Sequence, residues 1–244
     1  MDIQKDRFNY KGRLFPKYHF VEMDGQEIAV PTEEWKSHLA FLEATRYLLS
    51  AGVGEVTPYG LDTYIGEDKF HNIPKLKKYC DEFKTKFFHV HLYLWSRING
   101  TQKSTCAKDI IVRMAKKGIK SKFVLMDSLI KTLVEAERDD NSKQKAKEWS
   151  TADFLVIDEC FSKGQITLFK SGYQLAFLNT FLKERLEVFR RATCFTANVP
   201  INEIGQEWGA SIQSLVDRSI PTPMLFNDTV SKTSFRNDDI WGGV

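Results

Sequence analysis

Between residues 96 and 105 the chain reads SRINGTQKST, directly after the apolar run HVHLYLW. A loop of the pattern GxxxxGK[ST] wraps backbone N–H groups around phosphates. Its lysine neutralises their charge and its hydroxyl holds Mg²⁺. Laid on that pattern, Arg97 and Gln102 stand where the two glycines belong, and Lys103 and Ser104 supply the lysine and hydroxyl. Gly100-Thr101 matches an inner Gly-Thr, so the candidate phosphate-contacting run is Asn99, Gly100, Thr101, Gln102, Lys103, Ser104 and Thr105. Glycine provides the dihedrals and close approach that phosphates need, and without it the stretch also suits a plain polar loop.

Further along, FLVIDE ends an apolar run with Asp158-Glu159. A carboxylate there can hold Mg²⁺, and its neighbour can polarise an attacking water. ATCFTAN ends with Asn198, whose amide can reach that water or a γ-phosphate, although asparagine after a strand also forms turns. SIQSLVDRSI carries Arg218, by itself a surface arginine. Each of these residues alone has an ordinary explanation. The order, Lys-Ser, Asp-Glu, Asn, then arginine, fits one folded site.

These residues need a scaffold that gathers strand ends. YHFVEM-DG-QEIAV reads as a hairpin turning at Asp24-Gly25, closed by Pro31. Thr32 suits an N-cap for a helix starting at Glu33-Glu34, with Trp35, Leu39, Leu42 and Leu49 as its stripe and an end near Gly52. Residues 1–51 are expected to form a small N-terminal appendage, and 52–244 the main domain. There HVHLYLW, SKFVLM, ADFLVID and ATCFTA read as strands. IPKLKKYCDEFKTKF, STCAKDIIVRMAKKG, DSLIKTLVEAERDD (capped by its Asp127) and YQLAFLNTFLKERLEVFRR read as helices, and NSKQKAKEW as a solvated basic stretch. Strands alternating with such helices imply a three-layer α/β fold with a parallel sheet, which binds ligands beyond the carboxyl ends of its strands.

Composition narrows the function classes. No apolar stretch approaches the roughly 20 residues of a membrane span, and the start lacks a secretory signal, so a cytoplasmic protein without a membrane partner is expected. A net charge of +3 does not mark a nucleic-acid binder by itself. Candidate single-strand contacts are Lys122 and Phe123 in KKGIKSKF, and Phe161 and Lys163 in CFSKGQ, equally readable as a solvated face and a core aromatic. The four cysteines contain no CxxC pair and fit reduced, buried thiols. His89 and His91 share a strand face, where packing is a simpler role than metal binding.

From about residue 46 to 228 the chain resembles the helicase-loader and IstB-like branch of the AAA+ ATPases, to which DnaC and DnaI belong. TRYLLSAGVGEVTPYGLDTYIG is similar to the family's lead-in, LYLWSRINGTQKST to its Walker A segment and FLVIDE to Walker B. The helix and strand ending at Asn198 resemble its sensor 1, and LVDRSI its arginine-finger box. The resemblance implies a P-loop core without a full C-terminal lid, since few residues follow Arg218. It implies ATP or ADP gripped by Lys103, with Mg²⁺ on Ser104 and Asp158. Glu159 would orient water, Asn198 would sense the γ-phosphate, and Arg218 would act in trans within an oligomer. The implied partners are single-stranded DNA and a replicative DNA helicase, in a bacterial or phage-infected cell. With two Walker A glycines replaced, weak hydrolysis is expected. The alternatives are a non-hydrolysing protein that binds or inhibits a helicase, and a transposition accessory ATPase of the IstB type.

Overall fold

The computed structural model describes residues 7–10, 13–23, 25–54, 60–162, 165 and 172–227. These form two compact units that divide between Tyr47 and Leu48, slightly ahead of the expected boundary.

In the first unit, β1 (Arg7–Tyr10) pairs antiparallel with β2 (Arg13–Pro16), and β3 (Tyr18–Met23) with β4 (Gln26–Pro31). Met23 lies opposite Gln26, and Gly25 in the turn has φ +74°, the left-handed conformation a tight hairpin demands. The Thr32 hydroxyl accepts from the Trp35 N–H at 3.3 Å and donates to the Pro16 carbonyl at 2.8 Å, capping a helix and tying it to a strand end. That helix, α1 (Glu33–Ala51), begins with two acids and stops before Gly52 at φ +98°. Phe8 is buried against Trp35 and His38, while Phe20, Met23, Ile28, Leu39 and Leu42 are exposed.

The second unit is built on a parallel sheet in the order β6-β7-β8-β5-β9, with β5 (Leu92–Trp95), β6 (Ser121–Leu125), β7 (Phe154–Cys160), β8 (Ala192–Ala197) and β9 (Met224–Leu225). Apart from the exposed Glu159, every residue of β7 and β8 is buried. That explains their unbroken apolar sequences, because both sheet faces are covered. One face carries α2 (Asn72–Asp81) and α3 (Lys103–Lys116). The other carries α4 (Met126–Glu135), α6 (Gly172–Lys183), the short α7 (Gly205–Trp208) and α8 (Ala210–Ser219), packed in one core with Tyr93, Leu155, Ile157 and Phe195. This is the expected three-layer α/β arrangement. All four cysteines are buried and free, and no helix among the described residues is long and apolar enough to cross a membrane.

Three local expectations need correction, and one strand is new. The stretch after Asp139 is a helix, α5 (Asp140–Thr151), capped by the Asp139 carboxylate, which accepts from the Ser142 N–H at 2.7 Å. The α4 helix starts at Met126 with no side-chain cap, so Asp127 lies inside its first turn. Strand β5 starts only at Leu92, leaving both histidines before it. His89 bonds the Arg190 carbonyl at 2.9 Å, and His91 is buried with its pKa lowered to about 4, chiefly by desolvation. Finally, β9 completes the sheet beside β5, held by the Phe226 N–H on the Trp95 carbonyl at 2.9 Å.

Candidate nucleotide-binding site

The loop between β5 and α3 closes around its own lysine. Gly100 has φ +76° and Gln102 φ +62°, so Gln102 adopts the left-handed conformation that a glycine would supply. A non-glycine residue there costs on the order of 1 kcal/mol. The Gln102 side chain is engaged by the backbone of Ile65. Its Nε2 donates to the Ile65 carbonyl at 2.6 Å, and its Oε1 accepts from the Ile65 N–H at 3.2 Å. Lys103 opens α3 and is buried. Its ammonium donates to Thr101 Oγ1 at 3.1 Å and reaches the Ile98 carbonyl at 3.5 Å. Burial lowers its pKa to about 8, and the nearby Asp158 opposes the shift. A cation short of solvent, at the N-terminus of a helix of 14 residues, is a ready receptor for an anion.

The carboxyl end of β7 supplies the opposite wall. Asp158 is buried, and its Oδ1 accepts from Ser104 Oγ at 2.7 Å and from the Thr196 hydroxyl on β8. The Glu159 N–H donates to the same Thr196 oxygen at 3.1 Å. Glu159 itself has φ +56° and an exposed side chain. The β7–β8 register is irregular between Ile157 and Cys160, which turns the two acids out of the ladder. Thr196 passed unnoticed in the sequence because it lies inside an apolar run. Its signal was its place two residues before Asn198, on the strand between β5 and β7.

Asn198 follows β8 directly and is half-buried. Arg97, exposed at its place on the first glycine position, forms a two-pronged ion pair with Glu203, one bond at 3.1 Å. Arg218, on α8, is held by Glu187 within the same chain, with Nε 2.6 Å from the carboxylate. The structure therefore brings Lys103, Ser104 and Asp158 together, and it places Arg218 in a separate ion pair.

Solved structures share this architecture, among them the following three. The crystal structure of DnaI matches 75% of this chain and 91% of its own, at 16% identity and TM-score 0.54. The DnaC helicase loader matches 75% and 99%, at 18% and 0.51. The replication initiator DnaA bound to AMPPCP and single-stranded DNA matches 71% and 51%, at 12% and 0.57. The fold of the second unit is the one these structures share. This chain spans about half the length of that DnaA chain. No protein-family model and no curated protein matches the sequence.

On this parallel-sheet framework, Ser104 Oγ and Asp158 Oδ1 set two hard oxygens side by side. That donor set fits Mg²⁺, which takes one or two protein oxygens and fills the rest of its shell with water and phosphate oxygens. Among the described residues no cluster of three His, Cys, Asp or Glu side chains offers a complete metal cage.

The expected DNA contacts do not assemble. Phe161, at φ +58°, turns into the core between Tyr93, Phe195 and Trp208 and is 1% exposed, which leaves no face for a base. Lys122 is neutralised by Glu148 at 3.0 Å, and Phe123 is half-buried with the Lys108 ammonium 6.0 Å from its ring centroid. Lys163 lies outside the described residues.

Proposed function

We propose that the chain is an ATP-controlled loader of a replicative DNA helicase onto single-stranded DNA. The carrying observation is the bond between Ser104 and Asp158 beside the buried Lys103. It places an ammonium, a hydroxyl and a carboxylate from two strand ends at one mouth of the sheet. Lys103 binds the β- and γ-phosphates of ATP or ADP, while Ser104 and Asp158 hold Mg²⁺, which neutralises developing phosphate charge. Glu159 orients the attacking water and Asn198 contacts the γ-phosphate. Arg218 acts on a neighbouring subunit's nucleotide, so the working form is an oligomer. The likeness to DnaI and to the DnaC helicase loader supports the choice of partner. The N-terminal unit docks the helicase through exposed Leu39, Leu42 and hairpin residues.

A second reading, a helicase-binding protein that holds nucleotide without turnover, is favoured by Arg218 being occupied by Glu187. Both are tested by mixing the chain with replicative helicase, a single-stranded circle and ATP. Nucleotide-dependent transfer of helicase onto the circle supports loading. Helicase binding without transfer or hydrolysis supports the second reading.

A further inference from the structure

We infer that the amino end of the parallel sheet carries a seat for single-stranded nucleic acid, at the opposite end of the second unit from Lys103 and Asp158. The inference deepens the loader reading by saying where the strand lies, and it rests on that reading only for its purpose. Two adjoining clefts of about 500 and 470 Å³ open there and share Asp153 and Arg191. Their walls come from residues that enter the strands: His89 before β5, Lys120 before β6, Asp153 before β7 and Arg191 before β8.

The lining is cationic and aromatic together. Arg191 is paired with Asp153 at 2.7 Å and Lys122 with Glu148 at 3.0 Å. Lys84, Lys120 and Arg190 also line the clefts, are exposed, and make no ion pair among the described residues. Phe88 and Phe189 stand in the same lining, 45% and 50% exposed. These two rings occupy matching corners. The helices ahead of β5 and β8 each run into a turn of the rare π type, Phe83–Phe87 and Glu184–Val188, and one of the two phenylalanines follows each turn. His89 Nδ1 lies 2.9 Å from the Arg190 carbonyl and ties the corners together, with Arg190 held at φ +49°. Cations that follow a phosphate backbone, beside aromatic faces on which bases stack, are what binds a single strand without regard to its sequence. An acidic peptide would answer the cations, whereas the two open rings favour bases.

The test is fluorescence anisotropy of a labelled oligothymidine with the full chain over a series of salt concentrations, without helicase or nucleotide. The three unpaired cations predict a log–log salt slope of about −2. Phe88→Ala and Phe189→Ala should each weaken binding about tenfold, and Phe189→Trp should keep it. Arg190→Asn, which tolerates the left-handed backbone, should make the slope shallower by about 0.7. All these side chains are exposed, and circular dichroism checks that each variant folds. No binding at low salt, wild-type affinity in all the alanine and asparagine variants, equal binding of duplex, or displacement of the strand by a Glu-Phe peptide would each overturn the inference. A chain that seats the strand here yet transfers no helicase contradicts the loader reading alone. Transfer of helicase by a Phe189→Ala chain with unaltered strand affinity contradicts this inference alone.

Discussion

Ser104 and Asp158 are 54 residues apart in sequence and joined by a 2.7 Å hydrogen bond, with Thr196 donating to the same carboxylate oxygen. Strand β8 lies between β5 and β7, so Thr196 braces the carboxylate from the strand that separates the two walls. Asp158→Asn keeps the shape and removes the charge. It is expected to abolish the dependence of ATP affinity on Mg²⁺, while Mg²⁺-free affinity changes only about twofold to threefold. Calorimetry with Mg²⁺ and with EDTA reads both quantities.

Arg218 and Glu187 form an ion pair whose side chains are 56% and 30% exposed. Such a pair stabilises by only about 0–1 kcal/mol, so under the proposed function Arg218 can leave Glu187 for a neighbouring subunit's nucleotide. Glu187→Ala should raise steady-state ATP turnover up to about fivefold. Arg218→Ala should lower it on the order of a thousandfold without changing ATP affinity. Mixing Arg218→Ala with Lys103→Ala chains should restore part of the turnover, because each supplies what the other lacks. Absence of such rescue would show that Arg218 does not act in trans.

Arg185 is fully buried and donates to the Thr193 hydroxyl and to the carbonyls of Trp149, Ser150, Ala152 and Ala192. Burial lowers its pKa to about 9. The side chain ties the end of α5 to the approaches of β7 and β8, at the opposite end of the sheet from Asp158. Arg185→Leu strands several carbonyls and should cost about 3–5 kcal/mol in chemical denaturation. Arg185→Lys should recover only part of the loss, since one ammonium cannot span the same acceptors.

His91 gives the fold an acid sensitivity. Its folded pKa of about 4 lies below the ordinary imidazole value of 6.5, so it is neutral in the fold above about pH 4. The unfolded chain takes up the proton first. Stability from this group is therefore complete above about pH 6.5, falls as pH drops towards 4, and levels off below that. The upper limit is about 3 kcal/mol. In urea titrations from pH 7 to 4, His91→Leu should flatten this part of the profile.

The sequence was most readable where one local signal settled the conformation. The apolar runs of β7 and β8, the turn at Gly25 and the Thr32 cap all fall where expected. It was least readable where a distant partner decides. Neither Gln102 nor Arg97 reveals its destination, because Ile65 and Glu203 lie 37 and 106 residues away. Phe161 read equally well as a stacking residue or a core aromatic until the backbone turn after β7 sent it inward. The α5 helix was hidden by its nearly all-polar face, although Asp139 just ahead of it was a usable N-cap signal. The two residues of β9 are too few for any periodicity.

The most direct test of the account is calorimetric titration of the full chain with ATP and Mg²⁺, repeated on Lys103→Ala. The account predicts saturable one-site binding to the wild-type chain, weakened on the order of a hundredfold or more by the substitution. Equal binding by both chains, or no binding by the wild type at millimolar ATP, would contradict it.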